Sequence, residues 1–131
     1  MGLFSKPLPA TPAKLPRLVD PDDEKQPLEK RARSYLHANC AHCHIKWGGG
    51  NAEFQLMFTL PLKTMGISGV KPAHGNFEID DARLLTPGKP EKSIIHHRMT
   101  IKGLGRMPHV GSRVVDEKGA KLVAEWIRQT K

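Results

Sequence analysis

Apolar positions separated by three and four residues mark both ends of the main body of this 131-residue chain. From Pro27 onward, Leu28, Ala32, Tyr35, Leu36 and Asn39 follow the period of a helix that buries one face. Pro27 suits the first helical position, where its missing N–H costs nothing. A second stripe, Gly119, Leu122, Val123, Trp126 and Ile127, predicts a closing helix. Asp116 is placed to cap it, Glu117 lies in its first turn, and Arg128 and Lys131 lie near the negative end of its dipole. A shorter helix is predicted over Glu91–Met99, opened by Pro90. Glycine-rich segments, 48–50, 66–75 and 103–111, separate these elements, and neither a strand pair nor an internal repeat is legible. The expected class is all-α.

Residues 1–26 are different in kind. The first 27 residues hold six of the 11 prolines, which prevents a helix or central strand from propagating. They predict an extended proline-rich arm or linker, with the folded domain spanning 27–131. A signal peptide is not legible in this arm, because a charged start followed by a long apolar stretch is missing. Nowhere does the chain run through 18 apolar residues, so a membrane-spanning helix is not expected. Only seven residues are aromatic, which forecasts a thin core that something besides side chains helps to fill. Residues 1–26 carry four basic and four acidic side chains, so the whole formal excess of +8 falls on residues 27–131. Such an excess biases encounters toward acidic or anionic partners.

The chemistry concentrates in Cys40-Ala41-His42-Cys43-His44, an instance of C-x-x-C-H at the end of the first predicted helix. Two thiols three residues apart can add to the two vinyl groups on one edge of a haem, and the adjacent imidazole is then carried to the iron. Cys40 and Cys43 are the expected thioether anchors of one haem c and His44 its proximal ligand. Two other readings use the same residues. A redox C-x-x-C pair calls for a βαβ context that is not legible here, and a zinc site calls for a second ligand pair, for which only His96 and His97 are adjacent.

The run Ala32-x-x-x-Leu36-x-x-x-Cys40-x-x-Cys43-His44 resembles the first helix and haem site of single-haem class I c-type cytochromes. In that family a small residue eight positions before the first cysteine lets the last helix cross closely. Many members have glycine and an aromatic where this chain has Ala32 and Leu36. The departure implies a loosened or shifted crossing, with Tyr35 and Trp126 answering the aromatic demand. Residues 28–40, 82–88, Arg98-Met99, Arg106-Met107-Pro108 and Val115-Asp116 further resemble bacterial haem domains found with or fused to propeller-type sugar dehydrogenases. The resemblance implies a small all-α, cytochrome c-like domain wrapped around one covalent haem.

Five methionines are candidates for the opposite face of the iron: Met1, Met57, Met65, Met99 and Met107. Met107 has the best context, since Gly103, Gly105 and Pro108 flank it in a segment that is free to wrap a flat ring. It also lies where the class I pattern places its thioether ligand. Met99 and His109 are the alternatives, and core packing is the ordinary fate of Met57 and Met99. Trp47 and Gly48–Gly50 follow His44 directly; the glycines predict close approach of backbone to a ring edge, and Trp47 is placed to cover it or bond a propionate. Pro61 is a candidate acceptor for the other nitrogen of His44. His42 is expected to be exposed; His37, His74, His96 and His97 are expected to be surface or locally bonded. Arg83, Arg98, Arg106 and Arg113 are expected to form a solvated basic surface, with one or two pairing with propionates.

These readings imply an electron carrier rather than an enzyme, because His44 and Met107 together leave the iron no site for substrate. Its partners are then protein donors and acceptors with an acidic docking surface, among them a dehydrogenase or a larger membrane-bound redox complex, and not nucleic acid. The competing expectation is a haem enzyme or gas-binding module with an open distal position. Haem attachment of this kind implies a periplasmic or otherwise exported protein, its signal peptide not present in this chain.

Overall fold

The computed structural model describes residues 6–111 and 113–131; of the methionine candidates, Met1 lies outside them. The molecule is helical: α1 spans Leu28–Cys40, α2 Ile94–Thr100 and α3 Glu117–Gln129. Short 3-10 turns occupy Pro12–Lys14, Leu62–Thr64 and Pro90–Lys92. Among the described residues there is no strand, only two isolated parallel bridges, Ser68 to Leu85 and Arg83 to Ser93. No described helix is long and apolar enough to cross a membrane.

The closing helix forms as its stripe predicts. Asp116 caps it by accepting from the Gly119 N–H at 2.9 Å, and Gly119, Leu122, Val123, Trp126 and Ile127 are all buried. It packs against both α1 and α2. On α1, Ala32 and Leu36 are fully enclosed and Leu28 and Tyr35 partly so, while Asn39 is exposed and bonds back to the Tyr35 carbonyl. Pro27 sits just outside the helix as its N-cap, at φ −54° and ψ 136°.

The crossing of α1 and α3, expected to be loosened or shifted, brings Tyr35 of α1 close against Gly119 of α3. A Cβ on Gly119 would come within 2.2 Å of the Tyr35 ring, so the aromatic of α1 lies on the bare backbone of α3. The Tyr35 hydroxyl then donates to Asp116 at 2.9 Å. Burial, and next the bond to Asp116, push the Tyr35 phenol well above its ordinary 10.

The helix expected over Glu91–Met99 is broken in two. Ser93, at φ −103° and ψ 111°, is extended, and its buried hydroxyl donates to the Lys89 carbonyl at 2.8 Å and accepts from the Thr86 N–H at 2.9 Å. The neighbouring backbone pairs with residues 83–84 instead of propagating a helix, through Arg83 N–H to Lys92 and Ile94 N–H to Arg83. A serine that bonds locally competes with the helix ladder at this position.

The arm beyond residue 18 lies on the domain. Val19 N–H donates to Ser34 Oγ at 3.0 Å, Arg31 Nε to the Pro21 carbonyl at 2.8 Å, and Lys118 pairs with Asp22 at 2.8 Å. These contacts tie it to both α1 and α3.

Candidate functional site

α1 ends on Cys40, and the chain then turns tightly. The N–H groups of Cys43 and His44 both donate to the Cys40 carbonyl, at 3.2 and 2.9 Å, so the side chains of Cys40, Cys43 and His44 spring from a single turn. Both cysteines are free and half-buried. Burial, and then the neighbouring Cys43, push the Cys40 thiol up to about 11.

His44 is immobilised from several sides. The Phe54 ring stacks on it face to face, 4.3 Å between centroids and 8° between planes, and the His44 carbonyl accepts from Leu56 N–H at 2.8 Å. Nδ1 is enclosed without a hydrogen-bond partner. Burial lowers the pKa of this imidazole, and the positive charges of His42, Arg98 and His109 lower it further. Burial thus favours the neutral ring, the form in which histidine binds a metal. Pro61 is not its acceptor. The Pro61 carbonyl is taken by Thr64, from N–H at 2.9 Å and Oγ1 at 2.8 Å.

The glycines after His44 make room for the turn itself. Gly50 N–H donates to the Cys43 carbonyl at 3.1 Å, and a Cβ on Gly48 or Gly50 would lie 2.4 or 2.9 Å from that same oxygen. Trp47, at φ 67°, stands 91% exposed with Lys46 Nζ 5.1 Å from its ring centroid.

Of the other methionines, Met65 and Met99 are core side chains and Met57 packs at the core edge. Met107 is half-buried, and its N–H donates to the Arg98 carbonyl at 2.8 Å. Its Sδ lies 3.3 Å from His109 Nδ1, so the two sixth-ligand candidates of this segment stand side by side.

Arg106 departs from expectation. It is 8% exposed, and its guanidinium donates to the Pro108 carbonyl at 3.0 Å and the Val114 carbonyl at 2.5 Å, knitting together the loop that carries Met107. Arg113 is exposed, and Arg83 is half-buried and bonds the Ala82 carbonyl. His37 accepts from Phe58 N–H, His74 lies against the Asn51 carbonyl, and His97 packs on Phe77, contacts between separate segments of the chain rather than the local bonds expected. His42 is exposed. Among the described residues no three His, Cys, Asp or Glu side chains gather as a metal-binding group, so the zinc reading gains no ligand cluster.

Two features were not legible beforehand. Phe54 gave no signal, since an aromatic ten residues beyond the motif marks nothing by its spacing. Leu104, Val110 and Val114, on the segment around Met107, stand open to water, Leu104 completely; apolar side chains in a glycine-rich loop do not declare which way they face. No family model, no curated protein and no solved structure matches the chain.

Proposed function

We propose that this chain is a one-electron carrier with a single c-type haem bound through Cys40 and Cys43, and with His44 and Met107 as axial ligands. The observation that carries the reading is the C-x-x-C-H turn closing α1, in which Cys40, Cys43 and His44 leave one turn and His44 is stacked on Phe54. A haem so held supplies a reversible one-electron couple, in which a thioether opposite imidazole favours the ferrous state.

The chain's own residues fit that group. Phe54 stacks on His44 and restrains its orientation. Leu104, Val110 and Val114 are exposed apolar side chains on the segment around Met107, and they are the ones proposed to be covered by the ring. Trp47 leaves the same turn as His44 and is the side chain proposed to shield the ring edge or bond a propionate. With both axial positions taken by protein, the function is transfer between protein partners and not turnover of a substrate. The excess of +8 steers the carrier to an acidic docking surface, on a dehydrogenase or a larger redox complex, at a rate that falls with salt. Maturation of such a haem places the protein in the periplasm or another exported compartment.

A visible spectrum of the reduced protein with a haemochrome assay tests the attachment; a colourless product from a host competent in haem maturation, or pigment that washes out in acidified solvent, overturns it. Met107→Ala tests the ligand. The wild type is expected to be six-coordinate, low-spin and resistant to carbon monoxide, and the variant to become five-coordinate and to bind it. An open distal site in the wild type would instead favour a gas-binding or catalytic module.

A further inference from the structure

The loop that carries Met107 is tethered through one residue of α2. The Arg98 backbone carbonyl accepts from Met107 N–H at 2.8 Å, and its Nη1 donates to the Gly105 carbonyl at 2.8 Å. Its Nη2 donates to the His74 carbonyl at 2.6 Å. The guanidinium also lies 4.6 Å over the Phe77 ring, and a Cβ on Gly105 would come within 2.7 Å of that ring. Arg98 and Phe77 therefore close on the same stretch of backbone, at a position where Gly105 takes φ 85°.

The contacts continue on the other side. His74 Nε2 lies 3.3 Å from the Asn51 carbonyl, and Asn51 follows Gly50, whose N–H is bonded to Cys43. An unbroken run of contacts thus leads from the C-x-x-C-H turn, through residues 50–51 and His74, to Arg98 and on to Gly105 and Met107. Arg98 stands at the centre of it. Its planar fork serves two carbonyls from separate segments at once while stacking on an aromatic face, a combination that a lysine's single ammonium does not reproduce.

We propose that Arg98 is a positioning residue: its forked guanidinium fixes the Met107 loop relative to the C-x-x-C-H turn and so presents the distal ligand. The consequence for a ligand rests on the assignment of Met107 above, whereas the tether is a property of the chain alone. The guanidinium bonds carbonyls and makes no ion pair among the described residues.

The test uses the matured protein and four variants, Arg98→Met, Arg98→Lys, Lys102→Met and Met107→Ala. Amide exchange at Met107 is expected to be roughly tenfold faster in Arg98→Met, because the loop loses a charge-assisted bond and its stacking partner. Arg98→Lys is expected to fall between the two, and Lys102→Met, which removes an exposed cation of the same region, to match the wild type. In parallel, Arg98→Met is expected to lose the low-spin methionine-ligated signature in part and to gain carbon monoxide binding, with Arg98→Lys restoring most of it. Exchange at Met107 within about twofold of wild type in Arg98→Met overturns the tether; an unaltered, carbon monoxide-resistant spectrum in Arg98→Met, where Met107→Ala changes it, overturns the role of Arg98 in presenting the ligand. If Arg98→Met does not fold, the comparison of Arg98→Lys with wild type decides on the same measurements. Should Met107→Ala leave the spectrum unchanged, the ligand assignment falls, and exchange at Met107 still decides the tether.

Discussion

The α1–α3 crossing and the pair of loops carrying His44 and Met107 are held by different forces. At the crossing, Ala32, Leu36, Val123 and Ile127 are fully enclosed, and the helices approach until Tyr35 rests on the backbone of Gly119. In the loops, cohesion comes from individual hydrogen bonds, such as Gly50 to Cys43, Met107 to Arg98 and Arg106 to Val114, while Leu104, Val110 and Val114 face water. A region that buries its own apolar surface is stable by itself, since burial is the dominant favourable term in folding. A region that leaves apolar side chains open and relies on polar ties draws its remaining stability from whatever covers it. The contrast separates a framework from the surface proposed above to carry the haem.

The largest effect is expected at the crossing. Leu36→Ala should lower unfolding stability by about 3 kcal/mol, the usual cost of emptying a fully buried leucine site, measured by urea titration. An equal loss from Leu104→Ala would break the contrast. Next comes Gly119→Ala, expected to lower stability by roughly 2 kcal/mol, because the new methyl meets the Tyr35 ring. Pairing it with Tyr35→Ala should recover part of that loss, and strictly additive losses would mean that the ring and the glycine do not share the crossing.

Gly50→Ala sharpens the loop side of the comparison. The added Cβ would press on the Cys43 carbonyl, so the predicted cost is about 1 kcal/mol of stability with a much larger drop in the yield of covalently attached haem. Equal yields in variant and wild type would show that the turn tolerates the methyl.

Tyr35→Phe probes the polar tie at the edge of the crossing and is expected to cost about 1 kcal/mol near neutral pH. Its pH dependence has a definite sign. The folded state keeps the Tyr35 proton to higher pH than the unfolded chain, whose phenol titrates near 10. Stability from this group is thus whole below pH 10 and is lost as the pH rises through the folded-state value. The variant should unfold less steeply with alkali over that range, and identical alkaline profiles would remove Tyr35 as their cause. Smallest of all, Leu104→Ser should change the stability of the haem-free chain by no more than about 0.5 kcal/mol, since this side chain is fully exposed.

The two long helices were legible in the sequence because a buried stripe repeats with the helical period and because Asp116 and the neighbouring prolines mark their starts. The attachment turn was legible for a different reason: two cysteines and a histidine at this spacing carry their chemistry locally. Other contacts were hidden. Asn39 fell on the helical period of α1 yet faces water, and Ser93 broke a helix that its neighbours favour, because its hydroxyl found partners in residues 86 and 89. Arg106 read as surface and proved to be buried, since its partners are carbonyls that no sequence pattern reveals.

Periodicity, capping residues and the C-x-x-C-H spacing are written within a few turns of chain, so the sequence alone determined the all-α class, the places of α1 and α3 and the candidate attachment turn. Only the tertiary structure decided that Phe54 stacks on His44, that Tyr35 finds its space on Gly119, and that Arg98 bonds the carbonyls of both His74 and Gly105. Those pairings depend on where distant segments meet, and the meeting is set by packing and hydrogen bonds summed over the whole molecule rather than by any local pattern.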